Sequence, residues 1–196
     1  MHWTLSALQC GARLAPQAPL QPLAEAGALP QLFVDSRRRF QAIEGFGGAF
    51  TEAAATVWQA LGEPAREQFL RDCFDPQAGH GYTLCRVHMN SCDFALGNYA
   101  HVETAGDTEL ASFSIARDRQ ALLPFIQATL RVAGRPIRLL ASPWSPPAWM
   151  KTNGRMDQGG RLATRNAAWM KGSSAWRSRT MLKLARSVSP AVSTWA

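Results

Sequence analysis

The sequence lacks the patterns that build most cofactor sites. Its four cysteines, at 10, 73, 85 and 92, form no CxxC pair, and its four histidines (His2, His80, His88, His101) share no metal-ligand spacing. A zinc site is therefore not expected, and buried or incidental thiols are the default state. The glycine-rich stretch Gln41 to Phe50, QAIEGFGGAF, fits neither GxGxxG nor a Walker loop, because no GK[ST] follows. The longest apolar runs fall far short of the ~20 residues of a membrane span. The first residues, MHWTLSALQCGARLAPQ, lack the basic n-region and long apolar h-region of a signal peptide. Acidic residues also run out early: the last glutamate is Glu109, the last acid of any kind is Asp157, and no Asn-Glu pair occurs.

What is present is a globular composition. The 196 residues are 46% hydrophobic and 18% charged, which suits one sizeable core and argues against disorder. The net charge of +7 invites a nucleic-acid reading, but its distribution argues otherwise. Residues 1–160 carry 14 basic and 14 acidic side chains, whereas 161–196 carry seven basic residues and no acid. The basicity belongs to the tail, so no nucleic-acid partner is expected for the domain.

Taken in order, residues 1–40 are rich in Pro, Ala, Gln and Leu and predict two or three short strands, one of them at Leu32 to Val34. The three glycines between 45 and 48 predict a strand end where the backbone bends or approaches something closely. Thr51 to Leu61 predicts a helix with Thr51 as N-cap, and Pro64 to Cys73 a second with proline near its start. Tyr82 to Met89 alternates as a strand does, with polar residues at its end. Arg117 to Ala133 has helical periodicity and Gly134 fits a C-terminal stop. Ile137 to Ala141 is the next strand. Strands alternating with helices imply a parallel sheet, and without a phosphate loop a (β/α)8 barrel fits best, its site at the C-terminal strand ends.

The last of these strands opens into a stiff loop, SPWSPPAWMKTNG (142–154). Pro143, Pro146 and Pro147 fix φ and remove backbone donors, so the segment is neither helix nor inner strand. Trp144 and Trp149 either plug a core beneath the loop or face a ligand.

Three stretches are recognisable together: IEGFGGAFTEAAA (43–55), YTLCRVHMNSCDFALGNY (82–99) and LLASPWSPPAWMKTNG (139–154). They closely resemble glycoside hydrolase family 30, the family of glucosylceramidases and of microbial β-1,6-glucanases, over roughly residues 30 to 162. The resemblance implies the N-terminal part of a (β/α)8 TIM barrel with an accompanying β-sandwich, to which the strands of 1–40 would contribute. Residues 41–162 would be part of the catalytic barrel. It further implies retaining hydrolysis of a β-glucoside, such as glucosylceramide or β-glucan, by two glutamates and without a cofactor. By motif, Asp93 of SCDF is similar to the aspartate that binds sugar hydroxyls. Trp144 of SPW resembles the tryptophan lining the glucose subsite, and Arg86 the arginine beneath it. Asp93 also reads as a turn cap and Arg86 as an ordinary ion-pair partner.

Neither family glutamate, one in an Asn-Glu-Pro segment after strand 4 and one after strand 7, can be placed in these residues. The chain is therefore expected to be inactive alone. Residues 163–196, rich in Arg, Ser, Ala and Trp and free of acid, have the composition of a GC-rich gene read in a shifted frame. A frame change near residue 162 is one expectation. A basic helix at about 166–187 that binds membrane or nucleic acid is the alternative.

Overall fold

The computed structural model describes residues 3–21, 27, 30–107 and 109–163. They fall into two units, residues 1–42 and residues 43–196. The tail expectations for 163–196 lie almost wholly outside the described residues.

In the first unit, β1 (Thr4–Ala7) and β2 (Ala12–Pro16) pair antiparallel, with a register shift between Leu5 and Ala7. Gly11 holds the turn between them at φ +65°, where a Cβ would be strained. Trp3 Nε1 donates to the Ala18 carbonyl at 2.8 Å and tethers the end of the hairpin. The strand expected at Leu32 to Val34 is absent: no ladder partner is recorded for it, and a strand without one gains nothing for its ordered backbone.

The second unit carries a three-stranded parallel sheet in the order β3 (Ala49–Phe50), β4 (Leu84–Met89), β5 (Arg138–Pro143). Helices α1 (Glu52–Ala60) and α2 (Glu63–Phe74) connect β3 to β4, and α3 (Leu122–Ala133) lies between β4 and β5. Thr51 caps α1 as its spacing predicts, its hydroxyl accepting from Ala54 N at 3.2 Å. Pro64 sits in the first turn of α2, where its missing N–H costs nothing. Gly134 ends α3 in the left-handed region at φ +59°.

Several boundaries differ from the sequence reading: β4 starts at Leu84 rather than Tyr82 and α2 gains one residue at each end, and two further differences have a clear cause. α3 begins at Leu122, not Arg117, because Pro124 has no N–H and its ring clashes with the carbonyl four residues back. Residues 117–121 form turns instead. β5 runs on through Ser142 and Pro143, which pair with His88 and Met89. Proline is tolerated there because β5 stands at the edge of the sheet among the described residues.

Register explains which face is buried. Along β4, Cys85, Val87 and Met89 join the core with Leu139 of β5 and α3 residues Leu122, Phe125 and Ile126. Alternation sends Arg86 and His88 to the opposite face. Phe125 is the centre of the helical side, edge-on to Phe50 at 5.4 Å and tilted against Trp58 at 5.2 Å. Such pairs add ~0.5–1.5 kcal/mol beyond burial, and truncating Phe125 to Ala would cost about 3–5 kcal/mol. The glycine cluster has its expected purpose at Gly47: a Cβ there would lie 1.4 Å from the Leu84 carbonyl oxygen. Only glycine lets β3 approach β4 so closely.

Candidate functional site

The C-terminal ends of β4 and β5 open onto a cleft of about 710 Å³. One wall is the loop after β4, contributing Asn90, Ser91, Cys92, Asp93 and Asn98. The other is the proline-stiffened loop after β5, contributing Trp144 and Ser145, followed by a 3-10 turn at Ala148–Met150. A hairpin-like return closes the far side, where Lys151 bridges to Leu162 and Thr152 N donates to the Arg161 carbonyl at 2.8 Å.

The three residues singled out by sequence sit as follows. Asp93 is exposed on the cleft, with no hydrogen bond or ion pair recorded for its carboxylate. Trp144 is 44% exposed and lines the same cleft. Arg86 lies behind it on the inner face of the sheet, its guanidinium 4.0 Å from the Trp144 ring centroid and its Nε donating to Ser142 Oγ at 2.6 Å. Thus Asp93 and Trp144 share one cavity, and Arg86 supports its tryptophan wall rather than lining it.

Trp149 is the plug. Its Nε1 donates to the Val102 carbonyl at 3.1 Å, and its ring packs on buried Val102 and Leu110. The loop therefore splits its two tryptophans between core and cleft.

Beneath the cleft lies a polar cluster that the sequence reading did not assemble. Asn90, 5% exposed, adopts φ +61° at the end of β4. Its Nδ2 donates to the Ser145 carbonyl at 2.9 Å, and its Oδ1 accepts from His101 N at 2.9 Å. His88 Nδ1–H donates to the Asn90 carbonyl at 2.6 Å. Asp118 accepts from Tyr99 Oη at 2.6 Å and from His101 Nε2 at 2.8 Å. Burial alone would raise the Asp118 carboxyl. The hydrogen bonds and charge of His101, with the Tyr99 hydroxyl, outweigh it and hold the group below the ordinary carboxylate range. Burial pushes His88 down, so its imidazole stays neutral. Burial, then Asp118, pushes the Tyr99 phenol up.

Glu52, in the first turn of α1, does more than meet the helix dipole. It is buried, pairs with Arg117 through Nε at 2.6 Å and Nη2 at 3.2 Å, and accepts from Leu96 N at 2.7 Å. It thereby anchors the loop that carries Asp93 to α1. The one available sequence signal was Asn90 itself: an asparagine after a strand tolerates the left-handed region better than most residues.

At the far rim, Asn98 Nδ2 donates to Asp157 at 3.0 Å and Arg155 Nε at 3.1 Å. Arg155, then Asn98, hold the Asp157 carboxyl below its ordinary value. Among the described residues no group of His, Cys, Asp and Glu could hold a metal ion, and no helix is long and apolar enough to cross a membrane.

The glycosyl hydrolase family 30 TIM-barrel domain matches residues 43–185. The chain is 40% identical over 132 residues to the lysosomal acid glucosylceramidase of Mus musculus, covering 67% of this chain and 25% of that protein. It is 32% identical over 148 residues to an endo-1,6-β-D-glucanase of Aspergillus fumigatus, covering 71% of this chain and 30% of the relative. Among solved structures, SrfJ from Salmonella typhimurium superposes with a TM-score of 0.68 at 41% identity, covering 78% of this chain and 33% of that one. The endo-β1,6-glucanase BT3312 shares the fold with a TM-score of 0.67 at 21% identity, over 90% of this chain and 37% of its own. The chain thus spans between a quarter and somewhat over a third of the length of these relatives.

Proposed function

This chain belongs to glycosyl hydrolase family 30, and from that premise we propose that its cleft is the sugar-binding portion of a retaining β-glucosidase-type site. The observation that carries the reading is the pairing of Asp93 and Trp144 on opposite walls of one cavity. A carboxylate without protein partners accepts sugar hydroxyls through charge-assisted bonds. The indole offers an apolar face to the C–H face of a pyranose. Arg86 covers one side of that indole, and the indole, partly exposed, lines the cleft. The substrate class is a β-glucoside, either glucosylceramide or a β-glucan, as the names of the relatives suggest.

The same reading holds that these 196 residues do not turn over substrate by themselves. Retaining hydrolysis needs two carboxyl groups about 5–5.5 Å apart, one of them protonated as the acid. Glu52 is committed to Arg117, and Asp118 to Tyr99 and His101. Asp157 is held ionised by Arg155 and Asn98, which is wrong for a general acid. Asp93 keeps the sugar-binding role of its motif. The expected result is binding of a β-glucoside by calorimetry, lost in Trp144→Ala, with no release of nitrophenol from an aryl β-glucoside. Turnover by the pure chain would overturn the second half of the reading, and absence of binding the first.

A β-sandwich contribution from the 4–16 hairpin and a frame change near residue 162 belong to the same proposal. The frame change rests on the acid-free composition of residues 163–196, while the family match continues to residue 185. Sequencing the gene across codon 162 tests it; an intact frame, with no family-like sequence in the other two, sinks it.

A further inference from the structure

The two walls of the cleft are built from loops with few backbone ties. Pro143, Pro146 and Pro147 have no N–H to donate, so the loop after β5 cannot extend the ladder beyond Pro143. Beyond the strand ends, three recorded side-chain hydrogen bonds join the connection that carries Asp93 to the opposite side. One is the exposed contact of Asn98 with Asp157. A second is the bond from Trp149 Nε1 to the Val102 carbonyl, in the core behind the cleft; the third is the bond from Asn90 Nδ2 to the Ser145 carbonyl, at the floor.

Asn90 is unusual in how fully it is used. Both ends of its amide are engaged, its own carbonyl accepts from His88, and its backbone holds φ +61°. A residue needed only for that turn would be served as well by glycine, which reaches positive φ without strain. The side chain instead spans three segments: the end of β4, the 99–101 segment and the loop after β5. Ser145 passes the tie on, its hydroxyl donating to the Met156 carbonyl at 2.6 Å in the far side of the cleft.

We infer that Asn90 is a positioning residue for the cleft: its side-chain amide locks the Trp144-bearing loop to the Asp93-bearing loop and so sets the separation of the two walls. The inference rests on the proposal that this cleft takes a β-glucoside, but its structural half is testable without a ligand. A sugar gripped between a carboxylate and an indole needs both at a fixed spacing, and a loop free to move off Asn90 must be ordered again on binding.

The test compares the full chain with Asn90→Gly, which keeps the left-handed turn and removes the amide, and Asn90→Asp, which keeps an acceptor for His101 N and loses the donor to Ser145. Two quantities are read. One is the Trp144 indole N–H resonance in the free protein, assigned through Trp144→Phe. The other is affinity for a β-1,6-linked glucose disaccharide by calorimetry. Both variants are expected to shift or broaden the Trp144 resonance, while Trp149 stays in place. Both should weaken disaccharide binding about fivefold or more, the worth of one hydrogen bond. An unmoved Trp144 resonance with wild-type affinity in Asn90→Gly would overturn the inference and leave Asn90 a turn residue. If the parent chain binds no disaccharide, the cleft proposal fails, and the indole resonance alone decides the positioning role.

Discussion

The guanidinium carbon of Arg86 sits over Trp144, 4.0 Å from its ring centroid, while its Nε–H is spent on Ser142 Oγ. The arginine is held from the strand side and in turn holds the indole. Lysine would keep the charge but lose the planar stack and the directed Nε–H. Arg86→Lys is therefore expected to weaken β-glucoside binding by ~0.5–2 kcal/mol, the range of a cation–π contact, and calorimetry measures it. Unchanged affinity would separate Arg86 from the wall it touches.

The two tryptophans of the same loop should behave oppositely. Trp149→Phe removes the bond to the Val102 carbonyl and is expected to cost ~0.5–1.5 kcal/mol of stability, with no effect on sugar affinity. Trp144→Ala should abolish detectable binding and leave the urea midpoint close to wild type. Chemical denaturation and calorimetry on the same two variants check this; a swap of phenotypes would reverse the assignment of core and cleft.

Acid lability follows from the buried polar cluster. His88 is depressed in the fold. Below the unfolded histidine value of about 6.5, the unfolded chain takes up a proton the folded one refuses, and stability falls. Asp118 is also depressed, so its contribution is present above the unfolded value of about 3.9 and is lost as pH drops through its folded value. Two successive losses are expected, the first below about pH 6.5 and the second below about pH 4. His88→Asn should lower stability throughout yet flatten the change in urea midpoint between pH 7.5 and 5.5. A variant with the parent's pH slope would show that another group is responsible.

Removing Glu52 strips Arg117 and the Leu96 amide of their shared acceptor. Glu52→Ala is expected to destabilise by ~1–3 kcal/mol. The lower half is favoured because the Arg117 side chain is 35% exposed and water can take over part of its solvation. Glu52→Gln should recover part of the loss, since an amide oxygen still accepts from Leu96. Equal losses in the two variants would assign the whole effect to charge.

The parts legible in sequence were those written locally. The Thr51 cap, the proline at the start of α2, the Gly134 stop and the strand-end glycines each report on their own few residues, and each sits where its chemistry requires. The cleft walls were legible because Asp93 and Trp144 lie within long motifs. The polar cluster was not: Asn90, His101 and Asp118 are separated by 11 and 17 residues, and no periodicity connects them. Glu52 and Arg117, 65 residues apart, meet only because α1 and the segment before α3 pack on the same side of the sheet. The start of α3 was misplaced for a different reason. Apolar periodicity reached back to Arg117, and the steric veto of Pro124 outranks it.

The sheet's register has an unequal consequence for its two outer strands. β4 is bonded along both edges, through two residue pairs to β3 and six to β5. Thermal fraying takes the shorter ladder first. Opening at β3 leaves the Asn90–Ser145 tie in place but pulls on the Asp93 loop through Glu52 and Leu96, whereas opening at β5 would unmake the cleft. The shorter ladder thus lies away from the tie that joins the two walls, and its breathing reaches the cleft only through the Glu52 anchor.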